Sequence, residues 1–209
     1  MYSRSYVCGY CGESLASDKG YYATVIAGTS GGTIRSAYIY ICHRCKKPTF
    51  FESDKEQTPG PAFGGSVEDI PSDEVAALYD EARNCMKVNA HTAAVMCCRK
   101  LLMNIAVARG AKKGLNFYEY VNYLSDQGFV PPDGKEWVDL IRKKGNEATH
   151  EIAVMDREDA EDLITFSEML LRFIYEYPAM MKARANKGRA NKSPENPSPT
   201  PRGSRPTTF

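Results

Sequence analysis

Hydrophobic residues follow two different patterns along the chain. After residue 72 they recur at the spacing of helix faces, whereas before residue 52 aromatic and β-branched residues concentrate in short runs typical of strands. The helical pattern predicts five segments: one beginning near Ser72, three over about 91–109, 117–127 and 133–150, and one beginning at Asp156 and ending before Pro178. Five helices with short connections predict an α-helical bundle.

The first 52 residues predict a small β-module. Strands are expected over 21–27 and 34–42, with a short third strand at 49–51. The segment 28–33 between the first two strands has the composition of a turn, since its glycines adopt positive φ without steric cost. The sequence therefore predicts the α+β class, with the strands first and the helical bundle after them.

Four cysteines in two closely spaced pairs flank the predicted hairpin, Cys8 and Cys11 before it and Cys42 and Cys45 after it. Two thiolates separated by two residues fit one side of a tetrahedral metal ion, and a second pair completes a four-thiolate shell with no open position. We therefore predict a zinc β-ribbon over residues 1–52, with Zn²⁺ in a structural role. Such a small module buries little core, so metal binding should supply much of its folding free energy.

Disulfide bonds are the alternative for these four cysteines, and two observations argue against them. The total of seven cysteines is odd. The first residues have no apolar run of the signal-peptide kind, and no stretch approaches the roughly 18 apolar residues of a membrane span. These features predict a cytoplasmic protein that keeps its thiols reduced and has no membrane partner.

The remaining segments are distinguished by composition. A connector is predicted over 53–71, where proline and glycine disfavour a helix. The helical bundle is predicted over 72–180. Residues 181–209 form a basic tail rich in Pro, Ser and Thr, which we expect to be largely disordered because it has few apolar residues to bury.

The net charge of +1 conceals an uneven distribution. Residues 1–51 carry six Lys/Arg against two Asp/Glu, and residues 182–209 carry seven against one. Residues 52–181 carry 14 against 23, so two basic ends flank an acidic body. Basic ends indicate contact with nucleic acid or an acidic partner, and attraction to the acidic body of the same chain explains the pattern equally well.

The ribbon carries candidate nucleic-acid contacts. Arg44, Lys46 and Lys47 surround the second cysteine pair and could contact phosphates. Five nearby rings could stack on bases: Tyr10, Tyr38, Tyr40, Phe50 and Phe51. In so small a module, however, about half of these rings are needed for the core.

Several short motifs carry a resemblance to a known family. They are Asp69-Ile-Pro71, Tyr79-Asp-Glu-Ala82, Cys98-Arg-Lys-Leu-Leu102, Ile141-Arg-Lys-Lys-Gly-Asn-Glu-Ala-Thr-His150 and Tyr175-Glu-Tyr-Pro178. Together they resemble the bacterial family described as domain of unknown function 4145, whose members often carry a zinc ribbon in front; the likeness covers most of residues 5–178. This family looks like a branch of the HEPN helical superfamily, which includes many metal-independent ribonucleases of toxin and antiphage systems. The resemblance implies a HEPN-like bundle and suggests activity on RNA in phage defence.

A candidate catalytic stripe lies on the predicted fourth helix. Arg142, Asn146 and His150 are spaced four residues apart and therefore share one helix face. Histidine can act as base or acid near neutral pH, and arginine can clamp a phosphate with two parallel hydrogen bonds. Because one histidine cannot fill both proton roles at once, a ribonuclease would need a homodimer that apposes two stripes.

The spacing of this stripe departs from the superfamily pattern. HEPN ribonucleases typically leave four to six residues between the arginine and the histidine, and Arg142 lies one residue too far upstream. Lys144 lies inside that window and supplies a charge, although it lacks the arginine fork. The structural alternative is that Asn146 and His150 hydrogen-bond each other or a neighbouring backbone group and fix the turn into the fifth helix.

Arg99 is a charged residue in an apolar stretch of the second predicted helix. It is either a buried arginine paired with a carboxylate such as Glu81 or a contact for a substrate. Taken together, the sequence favours a binding or regulatory module that contacts nucleic acid or a partner protein. A dimeric endoribonuclease and a pure protein–protein adaptor are the alternatives.

Overall fold

The computed structural model describes residues 1–27, 31–52, 56–130, 137–141, 143 and 154–190. Over these residues the chain is α+β, with antiparallel sheets in the N-terminal part and helices in the C-terminal part, as predicted. Within the same residues, no helix combines the length and the apolar composition needed to cross a membrane.

The N-terminal part contains two antiparallel sheets. Strands β1 (Arg4–Val7) and β2 (Ser14–Ser17) form a two-stranded sheet that the sequence did not predict. Four further strands pair in chain order, and they are β3 (Gly20–Ala27), β4 (Gly32–Ile41), β5 (Pro48–Phe51) and β6 (Gln57–Thr58). β3, β4 and β5 confirm the three predicted strands, whereas β6 lies inside the segment predicted to be a connector.

A small aromatic core joins the two sheets. Tyr6 of β1, Tyr40 of β4 and Phe51 of β5 are each less than a tenth exposed. The ring of Phe51 meets the other two edge-on, at centroid distances of 5.3 Å to Tyr6 and 5.6 Å to Tyr40. Cys8 and Cys42 complete this cluster, so the core of the N-terminal sheets is continuous with the cysteine pairs.

The helical part begins at α1 (Asp73–Cys85), continues through a 3₁₀ turn (Met86–Val88), and then forms α2 (His91–Ala108) and α3 (Phe117–Asp126). Residues 137–141 are helical and are called α4, and α5 spans Arg157–Leu171. The predicted starts are confirmed by their caps. Ser72 accepts a hydrogen bond from the Val75 N–H, and Asp156 forms a reciprocal capping box with Asp159.

α2 is the central helix of the bundle, in contact with α1, α3 and α5. Its inner face is apolar and almost inaccessible to solvent, because the apolar residues recur at helical spacing. α4 packs on α5 through the ring of Trp137, which meets Phe166 edge-on at 5.1 Å. The bundle therefore has one continuous hydrophobic core.

Residues 63–68, which we call the strap, are held against the bundle by hydrogen bonds to side chains of α1, α5 and the π-helical segment that follows α5. Glu168 of α5 accepts a hydrogen bond of 2.7 Å from the Gly65 N–H, and the Tyr79 hydroxyl donates to the Gly65 carbonyl at 2.9 Å. Arg172 bonds the same Glu168 carboxylate and also donates to the Ser66 carbonyl at 2.8 Å. This part of the predicted connector is therefore an integral part of the bundle surface.

The predicted end of the fifth helix before Pro178 is wrong. After α5 the backbone widens into a π-helical segment (Arg172–Glu176) and continues as α6 (Tyr177–Ala190). Proline lacks the N–H that would bond four residues back, and a local π-turn relieves the clash of its ring with the preceding turn. The tail predicted to be largely disordered from residue 181 is helical as far as Ala190, and residues 191–209 lie outside the described residues.

Candidate metal centre

Each cysteine pair lies in a tight turn with the same hydrogen-bond pattern. In the first turn, the Cys8 carbonyl accepts a hydrogen bond of 2.9 Å from the Gly12 N–H. In the second, the Cys42 carbonyl accepts one of 2.9 Å from the Lys46 N–H. Gly12 and Lys46 occupy equivalent positions and have left-handed φ angles of 71° and 63°. We call these two turns the first and second knuckle; together they aim four thiols at one point.

The four thiols form a compact cluster that fits a metal ion. All four Sγ atoms lie within 4.8 Å of one another. Two contacts cross between the knuckles, at 3.6 Å for Cys8 and Cys45 and 3.8 Å for Cys11 and Cys42. A tetrahedron with metal–sulfur bonds of about 2.3 Å has edges of about 3.8 Å. The cluster therefore has the dimensions of a four-thiolate metal shell, and all four cysteines are free of disulfide bonds.

The surroundings favour the thiolate form that binds metal. Burial alone would raise the pKa of the Cys42 thiol, but hydrogen bonds from the backbone N–H groups of Cys45 and Arg44 lower that pKa to about 7. Cys8 and Cys42 are fully buried, whereas Cys11 and Cys45 are partly exposed. The site is thus shielded on one side and open to metal entry on the other.

The segment 57–60, which the sequence analysis assigned to the connector, supports the first knuckle. The Gln57 side-chain amide donates to the Val7 carbonyl at 2.7 Å. A Cβ atom on Gly9 would lie 2.2 Å from the Pro59 carbonyl oxygen, so only glycine fits between the two cysteines at this position. The Gly60 N–H donates to the Lys87 carbonyl at 2.8 Å. The same short segment therefore contacts both the first knuckle and the 3₁₀ turn that follows α1.

The three cations predicted to contact nucleic acid all lie exposed on the second knuckle. Arg44 is 65% exposed and pairs with Glu13. Lys46 donates to the His43 carbonyl, and the Lys47 ammonium lies 4.9 Å from the centre of the Tyr10 ring. They therefore form one basic patch beside the cysteine cluster.

The five candidate stacking rings divide between the core and the surface. Tyr40 and Phe51 are buried in the core of the ribbon, so they are unavailable for stacking. Tyr10 and Phe50 are 43% and 39% exposed. Tyr38 is half-buried and lies against Tyr40. Of these rings, Tyr10 is the exposed one that contacts the basic patch.

The candidate catalytic residues Arg142, Lys144, Asn146 and His150 lie outside the described residues. The preceding turn is described, and it is firmly anchored, since Val138 and Ile141 are almost completely buried in the bundle core. Their catalytic role stays a prediction from the sequence.

Arg99 is buried, with 8% of its surface exposed, but it is not paired with Glu81 as the sequence suggested. Its guanidinium carbon instead lies 4.2 Å from the centre of the Phe117 ring. Burial lowers the pKa of Arg99, and in the part of the chain that the structure describes its Nη1 atom has no hydrogen-bond partner. Glu81 is instead exposed on α1.

Comparison with known proteins yields one match. The family model described as Domain of unknown function (DUF4145) matches residues 80–189, which is more than half of the chain. The matched region begins within α1, so the strands and the cysteine cluster lie outside it. No curated protein and no solved structure matches the chain.

Proposed function

The chain belongs to the domain of unknown function (DUF4145) family, and we propose that it is a non-catalytic, zinc-stabilised module that binds single-stranded nucleic acid. The observation that carries the proposal is the closed cluster of four thiols within 4.8 Å, bordered by three exposed cations. In this proposal the strands form a zinc ribbon, the helices form a HEPN-like bundle, and the ribbon makes the contact.

Zinc is the metal that this donor set fits best. Soft thiolate ligands in a tetrahedral arrangement select zinc or iron over magnesium, calcium or manganese. With four protein ligands, no position remains for a water or a substrate, so the metal would stabilise the fold and not take part in a reaction. The adjoining aromatic core is small, which is the situation in which a structural metal contributes most to folding.

Single-stranded nucleic acid is the partner that the neighbouring surface favours. Arg44, Lys46 and Lys47 lie on one knuckle, and their present partners are exposed groups or a backbone carbonyl. An exposed ion pair contributes only about 0–1 kcal/mol to stability. Phosphate groups can therefore replace the present partners of these three cations. The exposed ring of Tyr10 adds a surface on which a base can stack.

The test is fluorescence anisotropy of a labelled single-stranded RNA, and of a DNA of the same sequence, with the zinc-loaded full chain. Affinity should fall steeply as salt rises. Replacing Lys46 by Gly removes one charge and suits the left-handed backbone at this position, so it should reduce the salt slope by about 0.7 without distorting the knuckle. Adding Arg44→Gln and Lys47→Gln should reduce the salt slope further.

Lys112→Gln is the matched control, because Lys112 is exposed on the bundle, away from the knuckles. It should bind like the unaltered chain. Equal binding by all these variants would assign nucleic-acid contact to another surface. Absence of salt-sensitive binding at low salt would favour the protein–protein adaptor that the sequence left open.

The HEPN resemblance supports a second candidate, a dimeric metal-independent endoribonuclease that uses His150 with Arg142, Lys144 and Asn146. The test is cleavage of single-stranded RNA in the presence of EDTA by the unaltered chain and by His150→Ala. Loss of cleavage in the variant would contradict the non-catalytic proposal. A purified homodimer that cuts no RNA would contradict the nuclease.

A further inference from the structure

A groove of about 520 Å³ lies on the outer side of α2, between this helix, the start of α3 and the loop that joins them. It is far in sequence from the cysteine cluster and involves none of the residues discussed as nucleic-acid contacts. Its walls are formed by Met96, Arg99, Lys100, Met103, Asn104, Val107, Lys113 and Tyr120. Its volume is in the range of small-molecule sites.

The groove is built around the buried guanidinium of Arg99. This residue is more than nine-tenths buried, yet within the part of the chain that the structure describes its one neighbour with a specific interaction is the ring of Phe117. Its Nη1 atom is inaccessible and has no hydrogen-bond partner among the described residues. A buried charge without a counter-ion is costly, and an anion in the groove would reduce that cost because the guanidinium charge is shared among three nitrogens.

The charge of the groove is opposite to that of the region that contains it. Residues 52–181 carry 23 Asp/Glu against 14 Lys/Arg. Over the described residues, the lining of the groove contains three cations, Arg99, Lys100 and Lys113, and no carboxylate. Lys100 and Lys113 are exposed and can reach a ligand from the rim, whereas Arg99 is fixed by its ring contact. This local reversal of charge indicates an anionic occupant.

The remaining walls are apolar and adaptable. Met96, Met103 and Val107 lie on the same face of α2, and Met96 is 42% exposed. Methionine side chains are flexible and polarisable, so they suit flat or elongated apolar groups of varied shape. The side-chain amide of Asn104 can both donate and accept hydrogen bonds.

We propose that this groove binds a small amphipathic anion, whose phosphate or carboxylate group lies against Arg99, Lys100 and Lys113 and whose apolar body lies on the methionine wall. The site is independent of the nucleic-acid contact proposed for the ribbon, because it shares no residue with it. A small molecule is favoured over a macromolecule because the central cation, Arg99, is only 8% exposed, which leaves little of it for a broad surface to contact.

The experiment uses two probes of nearly equal apolar surface. 8-Anilinonaphthalene-1-sulfonate carries an anionic group, and N-phenyl-1-naphthylamine lacks it. Fluorescence titration of the full chain should show that the sulfonate binds more tightly and that salt weakens its binding. Arg99→Met should weaken sulfonate binding roughly ten-fold or more, since it removes a charge-assisted contact, and should leave binding of the neutral probe unchanged.

A second variant keeps the test valid if Arg99→Met fails to fold. The double variant Lys100→Met/Lys113→Met alters exposed side chains and should weaken sulfonate binding several-fold and flatten its salt dependence. Lys112→Met is the matched control, because Lys112 is the exposed neighbour of Lys113 but does not line the groove; it should change affinity less than two-fold.

Competition experiments against the sulfonate probe then identify the class of anion that the groove binds. Displacement of the sulfonate probe by adenosine monophosphate supports a nucleoside phosphate, and displacement by octanoate supports an acyl carboxylate. Displacement by neither contradicts the proposal. The proposal is also overturned if the double variant binds the sulfonate as Lys112→Met does, or if the two probes bind with equal affinity and equal salt dependence.

Discussion

The side chain of Arg109 donates a hydrogen bond of 3.3 Å to the backbone carbonyl of Ile174. This carbonyl lies four residues before Pro178, so it is the acceptor that a residue with an N–H at position 178 would bond in a regular helix. Arg109 therefore replaces the missing helical donor from a different element of the bundle. Its guanidinium also lies 4.9 Å from the centre of the Tyr175 ring, which holds it in place.

This relationship predicts coupling between Arg109 and Pro178. Arg109→Met should lower the free energy of unfolding by about 1–3 kcal/mol, because it removes a side-chain hydrogen bond to the Ile174 carbonyl and a ring contact. In a Pro178→Ala background the new N–H can bond that carbonyl, so the same substitution should cost about 1 kcal/mol less. Chemical denaturation of the four proteins of the double-mutant cycle measures the difference.

Arg157→Met controls for loss of an arginine in general. Arg157 is 66% exposed and pairs with Glu161, so its loss should change stability by less than about 0.5 kcal/mol in both backgrounds. Strictly additive effects of Arg109→Met and Pro178→Ala would show that the two residues do not share the carbonyl.

Loss of one metal ligand should unfold the ribbon and spare the bundle. Cys42→Ser should lose the bound zinc, since three thiolates bind far more weakly than four, and with it most of the roughly 10–16 kcal/mol that structural zinc supplies. Trp137, the one tryptophan of the sequence, packs on Phe166 in the bundle, so its fluorescence reports on the helices alone. Metal analysis and tryptophan-monitored denaturation separate the two effects.

Cys97→Ser is the control for this experiment, because Cys97 lies in α2 outside the cluster. It should retain one zinc ion per chain. A Cys42→Ser protein that retained stoichiometric zinc would contradict the assignment of the four ligands.

Glu168→Ala should release the strap. This carboxylate holds the Gly65 N–H and the Arg172 guanidinium, and its side chain is only 22% exposed. We expect a loss of about 2–3 kcal/mol in the free energy of unfolding, since a buried donor and a cation lose their shared partner. Limited proteolysis should show new cleavage near the strap. Glu161→Ala is the control, because it breaks only the exposed pair with Arg157. It should cause neither a comparable loss of stability nor new cleavage near the strap.

Gly9→Ala should damage the metal centre without touching a ligand. The added Cβ would lie 2.2 Å from the Pro59 carbonyl oxygen, so either the knuckle or the segment 57–60 must shift. We expect a loss of about 1–3 kcal/mol and weaker zinc retention in a chelator competition assay. Gly32→Ala is the matched control, because a Cβ there meets no neighbouring atom. Equal behaviour of the two variants would show that the close contact is unimportant.

The features that the sequence predicted correctly are those determined by local spacing. The spacing within each cysteine pair, the helix starts at Ser72 and Asp156, and the inner face of α2 all follow from residues within a few turns of one another. The features it missed depend on distant partners. The strap is held by Glu168, 103 residues from Gly65, and the helix passes Pro178 with the help of Arg109, 65 residues before Ile174. Sequence patterns that extend over a few residues cannot predict contacts between residues so far apart in the chain.

β6 contains only two residues, but it determines where the chain can be divided. Gln57 and Thr58 pair with Phe51 and Phe50 and so cover the outer edge of β5. The composition of the sequence places the domain boundary at residue 52. A fragment that ended there would leave the edge of β5 unpaired, and unpaired strand edges promote association between copies. A fragment extended to Pro61 would retain the edge cover and the support under Gly9. The segment that covers β5 and supports the cysteine cluster therefore extends past residue 52, as far as Gly60.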